Sequence, residues 1–168
     1  SWGGHLVLAA ATLDGFSGDN PKQSASTTQK GPGWGCDAYK DASWWDGSQW
    51  ILVPSCIPDA AGQGPYRTSP VQYVPTIFDR IEQAGLTWRI YGGTGHVGGG
   101  YIWAICPTFY ECLSTRRSNF VAASSVITDA NAGTLPNLSI VTPTLANSQH
   151  NKVSMAVGDN WIGSVMSA

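Results

Sequence analysis

The sequence predicts an α/β fold, and two stretches carry that prediction. Residues 135–161, LPNLSIVTPTLANSQHNKVSMAVGDNW, read as strand, polar loop and helix. Residues 76–91 read as helix, tight glycine turn and strand. Helices and strands that alternate through short connections form a sheet covered by helices. In the first stretch Leu138, Ile140 and Thr142 alternate with Asn137, Ser139 and Val141, the period of a strand. Pro143 closes that strand because it has no N–H to give a ladder. The polar loop runs from Asn147 to Asn151, and Val157, Trp161 and Val165 then recur every four residues, as on one face of a helix. In open α/β sheets, ligands sit beyond the carboxyl ends of the strands. The side chain in this loop that changes charge near neutral pH is His150.

Taken in order, the chain opens with a short apolar helix over residues 2–13, in which His5 and Leu6, then Ala9, Ala10 and Leu13, fall at helical spacing. His5 has no acidic or cysteine neighbour and reads as a packed residue rather than a ligand. Residues 17–48 read as a long polar loop, punctuated by Gly18-Asp19-Asn20-Pro21, Gly31-Pro32-Gly33 and Asp46-Gly47. Trp34, Trp44, Trp45 and Trp50 cluster there. They would make an aromatic platform for a sugar or a lipid head group, but the preferred reading is that they pin an irregular loop. Ile51-Leu52-Val53 is a short strand ending at Pro54. Thr76 is placed to cap a helix over 76–84, with Asp79 completing a partial capping box, Ile77, Phe78 and Ile81 on the buried face, and Gly85 past its end. Leu86, Trp88 and Ile90 then alternate with Thr87 and Arg89 in a strand over 86–91.

Residues 92–100, GGTGHVGGG, are glycine-rich, but their spacing is neither G-x-G-x-x-G nor G-x-x-x-x-G-K-[ST], so they read as a flexible loop that holds a further candidate ligand, His96. A helix is expected within 115–130. Arg116 and Arg117 point about 100° apart on a helix, so one of them at most faces an anion, and Arg116 is the candidate. Asp159, at the front of the last helix, reads as a capping residue.

Composition narrows the classes. Charged residues make up 12% of the 168, about half the ~25% usual in soluble domains, and 42% are hydrophobic. The net charge of −2 gives no footprint for nucleic acid or for an anionic membrane. No apolar run approaches the roughly 18 residues of a membrane span. The chain opens on Ser1-Trp2-Gly3-Gly4 and is expected to be a segment of a longer protein or a processed product. Four cysteines, Cys36, Cys56, Cys106 and Cys112, contain no C-x-x-C pair, which argues against a zinc ribbon. Their even number and local grouping predict the disulfides Cys36–Cys56 and Cys106–Cys112 and a secreted or periplasmic protein. A Trp-rich, stapled, low-charge domain of this kind also suits a carbohydrate- or cell-wall-binding module without catalysis.

The LPNLSIVTP strand, the Ser148-Gln149-His150 loop and the Gly158-Asp159-Asn160-Trp161 helix together resemble the bacterial phosphoesterase family, which contains phospholipases C and acid phosphatases. Leu13-Asp14-Gly15-Phe16, residues 76–82 (TIFDRIE) with Thr87-Trp88-Arg89, and Gly133-Thr134-Leu135-Pro136 extend the resemblance over most of the chain. It implies part of an alkaline-phosphatase-like three-layer sandwich, with residues 17–60 a disulfide-stapled, Trp-rich insertion and residues 1–168 one segment of a larger catalytic domain. It implies hydrolysis of a phosphate monoester or a phospholipid, and it gives His150 the role of binding the substrate phosphate. Such chemistry needs a nucleophile and a means of neutralising anionic oxygens, with a divalent metal on hard carboxylate ligands in many versions. No D-x-D, H-x-x-E-H or H-E-x-x-H occurs among the eleven acids and three histidines. The resemblance places the acidic metal motifs before Ser1 and beyond Ala168, and the hydroxyl nucleophile upstream of Ser1, with Ser1 and Thr12 as further candidates. Where relatives carry a His-Asn-Pro-Phe type segment, this chain has Ile105-Cys106-Pro107-Thr108-Phe109, so no histidine role transfers there.

Overall fold

The computed structural model describes residues 2–23, 34–38, 40–64, 71–93 and 100–168. They form a mixed α/β structure with two three-stranded sheets.

The chain begins with helix α1 (Trp2–Ala10), which buries Trp2, His5, Leu6 and Ala9. It ends earlier than expected, with Ala11 in the left-handed region at φ 56°, and Leu13 is left exposed beyond it. Three strands follow, β1 (Phe16–Gln23), β2 (Lys40–Trp45) and β3 (Trp50–Pro54), in an antiparallel sheet of order β1-β2-β3. Two of these strands lie in the stretch expected to be loop. The sequence of β1, FSGDNPKQ, carries Gly, Asp, Asn and Pro, all turn formers, and its pairing with β2 slips between Ser17 and Lys22. The strand therefore exists through its ladder and through Phe16, which meets Trp2 edge-on at 4.8 Å, rather than through propensity.

Helix α2 (Ile77–Gln83) forms as the capping residues predict. The Thr76 hydroxyl accepts from the Asp79 N–H at 3.4 Å, and the Asp79 carboxylate accepts from the Thr76 N–H at 2.5 Å. Gly85, at φ 71°, ends it. Phe78 is buried and stacks on Trp88 at 4.3 Å, whereas Ile77, expected on the same face, is exposed. Strand β4 (Trp88–Tyr91) lies at the centre of the second sheet, flanked by β5 (Phe120–Val121) and β6 (Leu138–Val141), all parallel, in order β5-β4-β6. Its register pairs Ile90 with Phe120 on one side and with Ile140 on the other. Short helix α3 (Tyr110–Leu113) precedes β5, α4 (Ser125–Asn131) joins β5 to β6, and α5 (Met155–Met166) closes the chain. Gly158 is the buried residue of α5. Val157 of the expected apolar stripe is exposed, and Trp161 and Val165 are half-buried.

Both disulfides form, Cys36–Cys56 and Cys106–Cys112. They interlock through one turn. The Cys36 N–H donates to the Pro107 carbonyl at 2.7 Å, and the Ile57 N–H donates to the Thr108 carbonyl at 2.9 Å. Thr108 is fully buried, and its hydroxyl lies 2.9 Å from His5 Nδ1. This turn joins the amino-terminal helix to the stapled region around Cys36–Cys56. Among the described residues no helix is long and apolar enough to cross a membrane. The two disulfides are compatible with an extracellular or periplasmic protein.

Candidate functional site

The carboxyl ends of β4 and β6 converge on one side of the parallel sheet. Beyond β6, Thr142 and Pro143 continue the strand line, the Thr142 N–H donating to the Tyr91 carbonyl at 2.8 Å. Beyond β4, the chain returns at Gly100 and makes a 3-10 turn over Tyr101–Trp103. Gly100 has φ 91°, and a Cβ there would come within 2.7 Å of the Pro143 carbonyl oxygen, so two backbones touch at a point where only glycine fits. Between them lies a cavity of about 220 Å³ lined by Trp103, Thr142, Pro143, Ser148 and His150. A parallel sheet places ligands at this edge.

His150 is carried by the loop between β6 and α5. The Ser148 hydroxyl shapes that loop, donating to the Leu145 carbonyl at 2.8 Å and accepting from the His150 N–H at 3.1 Å. The His150 carbonyl accepts from the Val153 N–H at 2.9 Å. The exposed imidazole tilts at 40° to the Trp103 indole, centroids 5.7 Å apart, and its Nδ1 lies 3.3 Å from the Asn151 carbonyl. A carbonyl only accepts, so Nδ1 carries hydrogen in this contact and Nε2 is the ring nitrogen left for a ligand. The loop is held down from behind. A Cβ on Gly158 would meet Gln149 Cγ at 2.4 Å and the Ser148 carbonyl at 3.2 Å, so α5 packs directly under it. Gln149 Nε2 donates to Asp159 Oδ1 at 2.6 Å. Asp159 stands in the second turn of α5 and thus ties the loop to the helix, in place of the capping role expected of it.

The other residues singled out in the sequence fall elsewhere. Arg116 does not line this cavity. One of its terminal nitrogens lies 2.9 Å from Asp79 and also contacts Glu111, and the other lies 2.8 Å from Glu82. A guanidinium shared by three carboxylates joins α2 to α3 and has no fork left for a phosphate. Burial pushes the Asp79 carboxyl up, but donation from the Thr76 N–H and hydroxyl, with Arg116 beside it, outweighs burial and holds it below the ordinary range. His96 and Ser1 lie outside the described residues. Thr12 accepts from the Asp14 N–H at 3.0 Å and shapes a turn. His5 is buried, and burial pushes its imidazole down to about 4. The tryptophans divide. Trp44 is buried and Trp34 packs against the core, as the pinning reading expects, while Trp45 and Trp50 stand exposed at the β2–β3 hairpin with centroids 5.1 Å apart.

Among the described residues no group of three or more His, Cys, Asp or Glu side chains is placed to hold a metal ion. The described residues therefore do not by themselves form a divalent-metal site. Thr142 and Ser148 were read in sequence only as parts of the strand and the histidine loop, and Trp103 was not singled out at all. The expected flexible loop over 92–100 lies largely outside the described residues, and the sequence around Trp103 has no period that would place it beside a histidine 47 positions later. The model of the Phosphoesterase family matches residues 4–168. No curated protein matches the chain.

Proposed function

The chain belongs to the Phosphoesterase family, whose activity is hydrolysis of phosphoric esters, and from that membership we propose that His150 binds the phosphate of the substrate. The observation that carries the reading is the placement of His150, in a cavity at the carboxyl ends of β4 and β6 with Nε2 free to face a ligand. A ring that carries hydrogen on both nitrogens donates to the Asn151 carbonyl and to an anionic oxygen at once, and one that carries it on Nδ1 alone accepts at Nε2 from a protonated phosphate oxygen. A charge-assisted bond of this kind is worth about 1.5–3 kcal/mol. Cleavage proceeds by attack on phosphorus, and His150 offsets charge on the phosphoryl oxygens during that step.

The finer assignment is a phospholipase C or acid phosphatase type enzyme, exported, with these residues forming part of an alkaline-phosphatase-like three-layer sandwich. The parallel β5-β4-β6 sheet and its helices supply the sheet-and-helix portion, and the antiparallel sheet with Cys36–Cys56 is the insertion. The nucleophile and acidic ligands for a divalent metal come from residues of the parent protein other than the described ones. The full-length parent is assayed with divalent metal on a chromogenic phosphate monoester and a choline-type diester. His150→Ala is expected to lower turnover about 10- to 100-fold, since each 1.36 kcal/mol is tenfold, without loss of the folded far-ultraviolet spectrum. The isolated 168-residue chain is expected to be inactive, and Ser1→Ala and Thr12→Ala in the parent test whether either hydroxyl is the nucleophile. An unaffected His150→Ala parent overturns the phosphate role, and turnover by the isolated chain overturns the placement of the remaining machinery.

A further inference from the structure

We propose that Trp103 determines specificity, by giving the alcohol portion of the ester a flat apolar wall beside His150; this rests on reading the cavity as the phosphate site. The cavity is uneven in chemistry. Ser148 lines it but spends its hydroxyl on the Leu145 carbonyl and the His150 N–H. Of the other lining residues, Trp103 and Pro143 are apolar and Thr142 and His150 carry polar side chains, and the surface that lines the cavity is almost wholly apolar. A phosphate alone would satisfy the histidine and leave the indole facing water. An ester whose alcohol portion is planar and apolar, an aryl group above all, covers both, because its phosphate meets Nε2 while its ring lies on the indole.

The wall is built before the ligand arrives. The Trp103 N–H donates to the Gly100 carbonyl at 3.2 Å, and the flanking Tyr101 and Ala104 are both buried. The Tyr101 hydroxyl donates to Asp37. Gly100 fixes the same turn against Pro143. With the backbone held on both sides, an aromatic side chain loses little further freedom on binding, so most of the stacking gain appears as affinity.

The test compares 4-nitrophenyl phosphate with glycerol 2-phosphate as substrates of the full-length protein. The intrinsic reactivity of each leaving group cancels when each variant is divided by wild type. Trp103→Leu keeps an apolar side chain without a ring, and is expected to raise KM for the aryl ester about 5- to 10-fold while moving glycerol phosphate less than twofold and leaving kcat for both near wild type. Trp103→Phe keeps a ring and is expected to stay within about threefold of wild type on the aryl ester. Equal losses on both esters, or a Phe variant as impaired as the Leu variant, overturn the proposal. His150→Ala separates the two readings. If it lowers turnover of both esters alike while Trp103→Leu is unselective, the wall is wrong and the phosphate site stands. If it is neutral while Trp103→Leu is selective, the phosphate role is wrong and the aromatic wall stands.

Discussion

His5 makes the stability of the protein respond to pH. It looked bland in sequence and it is packed, as expected, but its partner Thr108 lies 103 positions away, and nothing local in the sequence announces that contact. Burial pushes the imidazole from 6.5 down to about 4. Above 6.5 the ring is neutral in folded and unfolded chains alike, and the native state keeps its full advantage. As pH falls from 6.5 to about 4, the unfolded chain takes up a proton that the buried ring refuses, so stability is lost through that window and levels off below it. Urea midpoints of wild type and His5→Asn between pH 4 and 7 check this, because Asn presents an amide near the Nδ1 position and does not titrate. The difference between the two profiles is expected to fall with pH through the window, and parallel profiles would show that another group carries the acid sensitivity. Arg116 teaches the opposite lesson. Its sequence position allowed an anion-binding role, and three-dimensional structure surrounds it with Asp79, Glu82 and Glu111, drawn from two separate stretches of chain.

At the scale of elements, what sequence shows depends on whether an element is held by its own pattern or by its neighbours. Helix α2 was legible down to its caps, because Thr76, Asp79 and Gly85 act within one turn. Strands β4 and β6 were legible because hydrophobic alternation is local. Strand β1 was not, because its residues favour turns and its existence depends on a ladder to β2 that slips at Ser17 and Lys22. The two disulfides were legible from grouping alone, and they differ in reach. Cys36–Cys56 closes 20 residues and Cys106–Cys112 closes six. Closing a longer loop removes more freedom from the unfolded chain, so the chain-entropy relation assigns about 3 kcal/mol to the first and about 2 to the second. Paired Cys→Ala variants, Cys36 with Cys56 and Cys106 with Cys112, are expected to lower unfolding free energy in that order when followed by urea denaturation. A reversed order would mean that the short bridge matters through the packing of the Pro107–Thr108 turn, where both staples meet, more than through loop closure.

The molecule as a whole is unevenly stabilised, and the unevenness runs toward the site. Trp2, Leu6, Val53, Ile57, Ile90 and Cys106 form the heart of one core that the stapled sheet, α1 and β4 share, each almost fully buried. Helix α5 stands apart from it. Met155, Val157, Ile162 and Met166 are exposed, and Gly158 is its buried residue. Few buried apolar contacts mean a low free energy of local opening. Yet α5 is the floor of the His150 loop, through Gly158 under Ser148 and through Asp159 on Gln149. An apolar helix with so little covered suits the proposed larger sandwich, in which further chain packs on its outer face. Amide hydrogen exchange decides the point. In the isolated 168-residue chain, amides of α5 are expected to exchange at least about tenfold faster than those of α2 and β4. In the full-length parent they are expected to slow toward the rate of α2, and the His150 loop is expected to gain protection with them, because the same packing holds both. Equal protection of α5 in the two chains would mean that the helix needs no cover, and that the loop carrying His150 is organised by the Ser148 hydrogen bonds alone.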